Sequence, residues 1–119
     1  MSYPLNRETA LRCEEIVRST GAVPATIGML SGQIHVGLSA TQIDRLADES
    51  NLTKVKLSRR DIAPAIAKKV DGGTTIAGTM VLAHLAGIKV FSTGGLGGVH
   101  RNGENCMPCF CIITLGLLA

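Results

Sequence analysis

Apolar residues surround the whole helical circumference of the segment from Thr74 to Ala86. A helix of that kind has no wet face and must lie between a sheet and a further layer. Gly87 stands where such a helix would stop. At 119 residues the chain is at most one domain, and a domain of that size buries well under three quarters of the surface that its unfolded form exposes. Apolar residues make up 45% of the sequence, yet only 3% is aromatic and Trp is absent. The core must therefore come from Ala, Val, Ile, Leu and Met, a composition suited to α/β layers.

The elements around that helix follow from local signals. Asn6 is a candidate cap for a helix from about Arg7 to Thr20, closed by a left-handed Gly21. The apolar run Ala22 to Leu30, the Ser31-Gly32 pair and the alternating stretch Gln33 to Gly37 read as a β-hairpin. Ser39-Ala40-Thr41-Gln42 is a capping box ahead of Ile43, Leu46 and Ala47 on one helical face. Lys54 to Leu57 reads as a short strand. Asp61 is a candidate cap for the next helix, with Pro64 tolerated in its first turn and Asp71-Gly72-Gly73 as the breaker. Ile88 to Phe91 is the next strand. This order places the chain in the α/β class, although a sheet covered on both faces needs more elements than these signals supply, so the sheet is expected to be incomplete.

Charge excludes little. Twelve Lys and Arg against nine Asp and Glu give a formal charge of +3, and the basic residues are spread along the chain apart from Lys54, Lys56, Arg59 and Arg60. That is no nucleic-acid footprint. The start has no basic segment leading into an apolar one, so a cytoplasmic location is the default expectation. The uncharged stretch from Asn105 to Ala119 contains Pro108 and Gly116 and falls short of the roughly 20 residues that a spanning helix needs. Cys106, Cys109 and Cys111 crowd into the tail, while Cys13 stands alone. They could be plain thiols or part of a zinc or redox site, for which a fourth ligand would have to come from Cys13 or a distant His.

Two stretches could carry chemistry. Ser92-Thr93-Gly94-Gly95-Leu96-Gly97-Gly98-Val99-His100-Arg101 follows a strand, and its glycines would let backbone N–H groups turn toward an anion. The same composition also suits a simple turn, and neither a Walker loop nor a dinucleotide fingerprint is present. Lys56-Leu57-Ser58-Arg59-Arg60-Asp61 sets three cations and a hydroxyl beside a strand end, where open α/β sheets bind ligands. A solvated charge cluster is the alternative. His100 could act as an acid, a base or a substrate contact, whereas His35 and His84 sit in ordinary strand and helix settings.

Several strings together resemble the pseudouridine-5'-phosphate glycosidase family in order and spacing. They are Tyr3-Pro4-Leu5-Asn6, Gly21-Ala22-Val23-Pro24-Ala25-Thr26-Ile27, Val36-Gly37-Leu38-Ser39, Ser58-Arg59-Arg60-Asp61, Gly72-Gly73-Thr74-Thr75-Ile76-Ala77-Gly78-Thr79-Met80 and Thr93-Gly94-Gly95-Leu96-Gly97-Gly98-Val99-His100-Arg101. The resemblance implies a partial α/β/α sandwich over residues 1–107, followed by an apolar tail over 108–119 that departs from the family pattern. It also implies nucleotide catabolism: reversible splitting of pseudouridine 5'-phosphate into uracil and ribose 5-phosphate by an enzyme that is usually a manganese-dependent homotrimer. The family breaks a carbon–carbon bond by opening the ribose and forming a Schiff base with a lysine, a role suited to a desolvated amine.

Carried over by position, the resemblance makes Lys56 a substrate-binding residue and Ile76 a substrate contact through its backbone. Thr75, Thr93 and His100 match residues near the family site. No catalytic residue is carried over. The proton-donating glutamate belongs to a strand ahead of Tyr3, the Schiff-base lysine lies beyond this sequence, and Pro108 stands where the family has its manganese-ligating aspartate. The expected cofactor therefore loses its ligand position here, since a proline side chain cannot bind a metal. The resulting expectation is a family glycosidase by descent that is inactive as this truncated chain. The alternative is an interaction subunit docking on a full-length homologue. In either case the small-molecule partner is a phosphosugar or nucleotide, with no nucleic acid and no membrane involved. The all-apolar helix, short of a covering layer, is expected to expose Val81, Leu82 or Leu85.

Overall fold

The structure, a computed structural model, describes residues 2–50, 53–93 and 111–114. Helix α1 (Leu5–Ser19) is followed by the hairpin β1 (Ile27–Leu30) and β2 (Gln33–Val36), helix α2 (Ala40–Ala47) and strand β3 (Val55–Leu57). A single 3-10 turn (Arg59–Asp61) leads into α3 (Ile62–Lys68), then β4 (Gly72–Thr74), α4 (Ile76–Leu85), β5 (Val90–Thr93) and β6 (Cys111–Thr114).

Four strands form one sheet in the order β2-β1-β4-β3, in which only β3 and β4 run parallel, while β5 and β6 pair as a separate antiparallel ribbon. Strand β1 is central, and all four of its residues are buried. Because side chains alternate along a strand, Ile27 and Met29 point to one face while Gly28 and Leu30 point to the other. The first face packs Ile27 against Leu82 and Ala83 of α4, and Met29 against Leu57 and Ala65 of α3. On the second face Leu30 meets Leu38 and Ile43, with Ala10 and Leu11 of α1 and Leu46 of α2 around them. The result is helix, sheet, helix: the expected α/β/α layering, with a core made of aliphatic residues and Met.

Local signals succeed where the chemistry is local. The hairpin turns at Ser31 (φ 51°) and Gly32 (φ 75°), both left-handed, as a two-residue connection between right-twisted strands requires. Ser39 closes a capping box with Gln42 at the start of α2. Gly21 (φ 83°) and Gly87 (φ 76°) follow α1 and α4 in the left-handed conformation.

Three elements differ from expectation. Helix α1 begins at Leu5, two residues before Arg7, with Pro4 in the cap position. Asn6 lies inside the helix and uses its amide to donate to the Ala47 carbonyl at 2.8 Å, joining α1 to the end of α2. Asp61 does not cap α3 through its side chain; its carboxylate instead accepts from the Ser58 amide at 3.0 Å, and α3 ends at a left-handed Lys69. The pair Gly72-Gly73, read as a helix breaker, is strand β4, which shortens the following helix to Ile76–Leu85. Gly72 can serve in a strand because a Cβ there would lie 2.7 Å from both Leu57 Cδ1 and the Val55 carbonyl, so only a bare backbone admits this close approach. On α4, Leu82 is buried and Leu85 is 76% exposed. No helix among the described residues is long and apolar enough to cross a membrane.

Candidate functional site

Strands β3 and β4 run parallel with Leu57 level with Thr74, so their carboxyl ends finish together. Open α/β sheets bind ligands at such ends. Two tight junctions build this end. Thr75 caps α4 by accepting from the Gly78 amide at 3.2 Å, and its own amide donates to the Leu57 carbonyl at 2.8 Å. Gly78 lets the first turn of α4 close on β3, since a Cβ there would sit 2.6 Å from the Leu57 oxygen. Thr74 faces inward and bonds to the Ile27 carbonyl and to Thr79.

Lys56 precedes the buried Leu57, so its side chain leaves from the opposite face of β3, where it is exposed and in register with Gly73. Arg59 and Arg60 are exposed on the 3-10 turn, which the Ser58 amide and Asp61 carboxylate hold together. Ile76 is the first residue of α4, where backbone N–H groups have no partner inside the helix. The structure thus brings Lys56, Thr75 and Ile76 to one end of the β3–β4 pair. Thr93 ends β5 in the second ribbon, whose Phe91 packs against the Ile27–Leu82 cluster. His100, the glycine-rich loop, Pro108, Cys106 and Cys109 lie outside the described residues. Among the described residues no three His, Cys, Asp or Glu come together as a metal site.

Two concavities lie at the edge strands of the sheet, β3 and β2. One of about 210 Å³ is lined by Val55, Lys56, Asp61, Pro64, Ala65, Lys68 and Val70. The larger, about 390 Å³, lies at the β2 edge, where Gln33, His35, Gln42 and Arg45 are among its lining residues. It contains none of the candidate substrate-binding residues named from the sequence.

Sequence reasoning also missed a buried acid paired with the half-exposed Arg45 of that larger groove. Asp71 is only 5% exposed and receives Arg45 Nε at 2.7 Å, Arg45 Nη2 at 2.8 Å and the Ser31 amide at 2.7 Å. Burial raises its pKa, but the Ser31 amide and the Arg45 guanidinium outweigh that and hold the carboxyl below its ordinary value. Its one sequence signal was an acid directly before the glycine pair.

A family profile described as indigoidine synthase A like protein matches residues 1–109. The chain belongs to that family. Its members include pseudouridine-5'-phosphate glycosidases from Clostridium botulinum, 55% identical over 104 residues, and Escherichia coli, 52% identical over 106. These matches cover 87% and 88% of this chain but 34% and 33% of the relatives. A pseudouridine-metabolizing bifunctional protein of Schizosaccharomyces pombe is 53% identical over 117 residues, 98% of this chain and 16% of that protein. Among solved structures, a prealnumycin C-glycosynthase in complex with ribulose 5-phosphate superposes with a TM-score of 0.69 at 48% identity, covering 87% of this chain and 33% of that one. An indigoidine synthase A-like protein from Thermotoga maritima gives the same TM-score at 35% identity, covering 79% and 31%. The chain therefore spans about a third of the length of the glycosidase relatives it matches.

Proposed function

We propose that this indigoidine synthase A-like chain carries the phosphosugar-binding part of a pseudouridine-5'-phosphate glycosidase, the enzyme that reversibly splits its substrate into uracil and ribose 5-phosphate. The observation that supports this most directly is the convergence of Lys56, Thr75 and Ile76 at the carboxyl end of the parallel β3–β4 pair. An exposed cation and a helix N-terminus near one strand end suit a phosphorylated sugar, because both favour negative charge. A structural neighbour held with ribulose 5-phosphate gives the ligand class independent support. This chain is read as binding without turnover, since the resemblance carries over no nucleophile or proton donor and sets Pro108 at the place of the metal-ligating aspartate.

Titration of the purified chain with ribose 5-phosphate, followed by amide NMR, tests this reading. Saturable shifts around Lys56 and Thr75, lost in Lys56→Ala, are expected, together with no uracil released from pseudouridine 5'-phosphate when manganese is added. Absence of binding, or turnover by the chain alone, would overturn it. A second reading, an interaction subunit docking on a full-length homologue, draws on the edge strand β2, where Ile34 and Val36 are 37% and 42% exposed on the face that buries Met29. Co-purification with such a homologue would support it.

A further inference from the structure

Helix α4 carries two polar side chains, Thr79 and His84. His84 is exposed, whereas Thr79 is half-buried. Thr79 stands three and four residues before Leu82 and Ala83, which pack on Ile27 of β1, so it shares their sheet-facing stripe. Valine would fill nearly the same space there without a polar group, and a hydroxyl taken from water costs stability unless it is bonded. Thr79 is bonded: its Oγ1 lies 2.7 Å from Thr74 Oγ1 on β4. The direction of that bond follows from the next one. Thr74 has a single hydroxyl proton and donates it to the Ile27 carbonyl at 3.1 Å, so Thr79 is the donor to Thr74. A helical threonine commonly turns its hydroxyl back on the carbonyl four residues earlier. Here it reaches another element instead.

The relay Thr79–Thr74–Ile27 joins α4, β4 and β1 at the end of the sheet where α4 starts. On the other side of β4, the Thr75 amide donates to the Leu57 carbonyl of β3 at 2.8 Å, and Gly78 lets the helix close on that same carbonyl. The first turn of α4 is therefore anchored to both neighbours of β4. Between the anchors lie Ile76 and Ala77, whose amides have no partner inside the helix. Their direction is fixed only as firmly as the turn itself, and a site whose supporting groups are loose binds less well than one held in place. The β3 anchor is made by backbone groups. The β1 anchor depends on two side-chain hydroxyls, and on the helix side it depends on Thr79 alone.

We infer that Thr79 is a positioning residue for this site: through Thr74 and the Ile27 carbonyl, its hydroxyl holds the first turn of α4 so that the Ile76 and Ala77 amides face an anionic ligand. Thr79 itself makes no contact with that ligand. This rests on the phosphosugar reading given above.

The test compares the full chain with its Thr79→Val, Thr79→Ala and Thr79→Ser variants, at a temperature where thermal unfolding shows each of them to be folded. Affinity for ribose 5-phosphate is measured by calorimetry, and amide exchange at Thr75 and Gly78, the bonded amides of that turn, by NMR. Thr79→Val and Thr79→Ala are expected to bind about three- to tenfold more weakly and to exchange both amides faster. Thr79→Ser, which keeps the hydroxyl, should bind within about twofold of the wild type. A purely structural role would lower the unfolding temperature of Thr79→Val and leave the affinity of the folded chain unchanged. That result would overturn the inference while the phosphosugar reading stands. Equal losses in Thr79→Val and Thr79→Ser would also overturn it, because they would make side-chain shape responsible and not the hydroxyl. A wild-type chain that does not bind ribose 5-phosphate would remove the phosphosugar reading and this inference with it. If Thr79→Val fails to fold, Thr79→Ala against Thr79→Ser decides.

Discussion

Arg45 of α2 grips Asp71, the residue before β4, with Nε on one carboxylate oxygen at 2.7 Å and Nη2 on the other at 2.8 Å. The same carboxylate accepts from the Ser31 amide in the β1–β2 turn. One buried acid therefore ties a helix, a hairpin and the strand leading to the candidate site. Asp71→Asn keeps the shape but loses the charge. Charge-assisted bonds of this kind contribute about 1.5 to 3 kcal/mol, less here because Arg45 is half exposed to solvent. A loss of about 1 to 2 kcal/mol in urea unfolding is expected.

The same carboxylate sets a pH dependence. Its pKa is lower in the folded chain than the ordinary value, despite burial, because of the Ser31 amide and Arg45. Its contribution to stability is thus fully present above the unfolded value of about 3.9 and is lost as pH falls through the folded value. Unfolding midpoints recorded from pH 6 downward, on the order of half-unit steps, should decline below about pH 4 in the wild type. Asp71→Asn should show a shallower decline. Equal slopes would mean that another acid dominates.

Gly78→Ala should destabilise the chain, against the usual preference for alanine over glycine in helices. A Cβ would sit 2.6 Å from the Leu57 carbonyl, so α4 must move off β3. The expected cost is about 1 to 3 kcal/mol, typical of overpacking. Weakening of the Thr75 amide bond to Leu57, seen as faster hydrogen exchange at Thr75, would accompany it.

Ser39→Ala removes the side-chain half of the capping box at α2. About 0.5 to 2 kcal/mol should be lost, typical of such caps. Because α2 also carries Arg45, the loss should be smaller when measured in an Asp71→Asn background than in the wild type. Strict additivity in a double-mutant cycle would indicate that the two ends of α2 act independently.

Leu85 is 76% exposed at the end of α4, and Ile34 and Val36 are partly exposed on edge strand β2. Apolar surface of this kind favours association. The purified chain should bind a hydrophobic dye and self-associate as concentration rises in light scattering. Leu85→Lys should reduce both effects without lowering the unfolding midpoint.

The sequence by itself determined the features whose chemistry is local. Ser31-Gly32 can turn a hairpin, Ser39 and Gln42 can close a capping box, and the glycines at 21 and 87 can end helices, because each acts on backbone groups within a few residues. The aliphatic composition and the all-apolar segment after Thr74 likewise required a layered α/β core. Lys56, Thr75 and Ile76 were legible as candidates through their family strings, and Asp71 was not. Only the tertiary structure showed that Gly72-Gly73 is a strand: its evidence lies in the space that Leu57 and Val55 take up, not in any propensity of glycine. Only the fold placed Lys56 opposite Gly73 and tied Thr75 to Leu57, since strand register is set by long-range pairing. A residue whose role depends on what lies across the sheet carries no sign of it in its own neighbours along the chain.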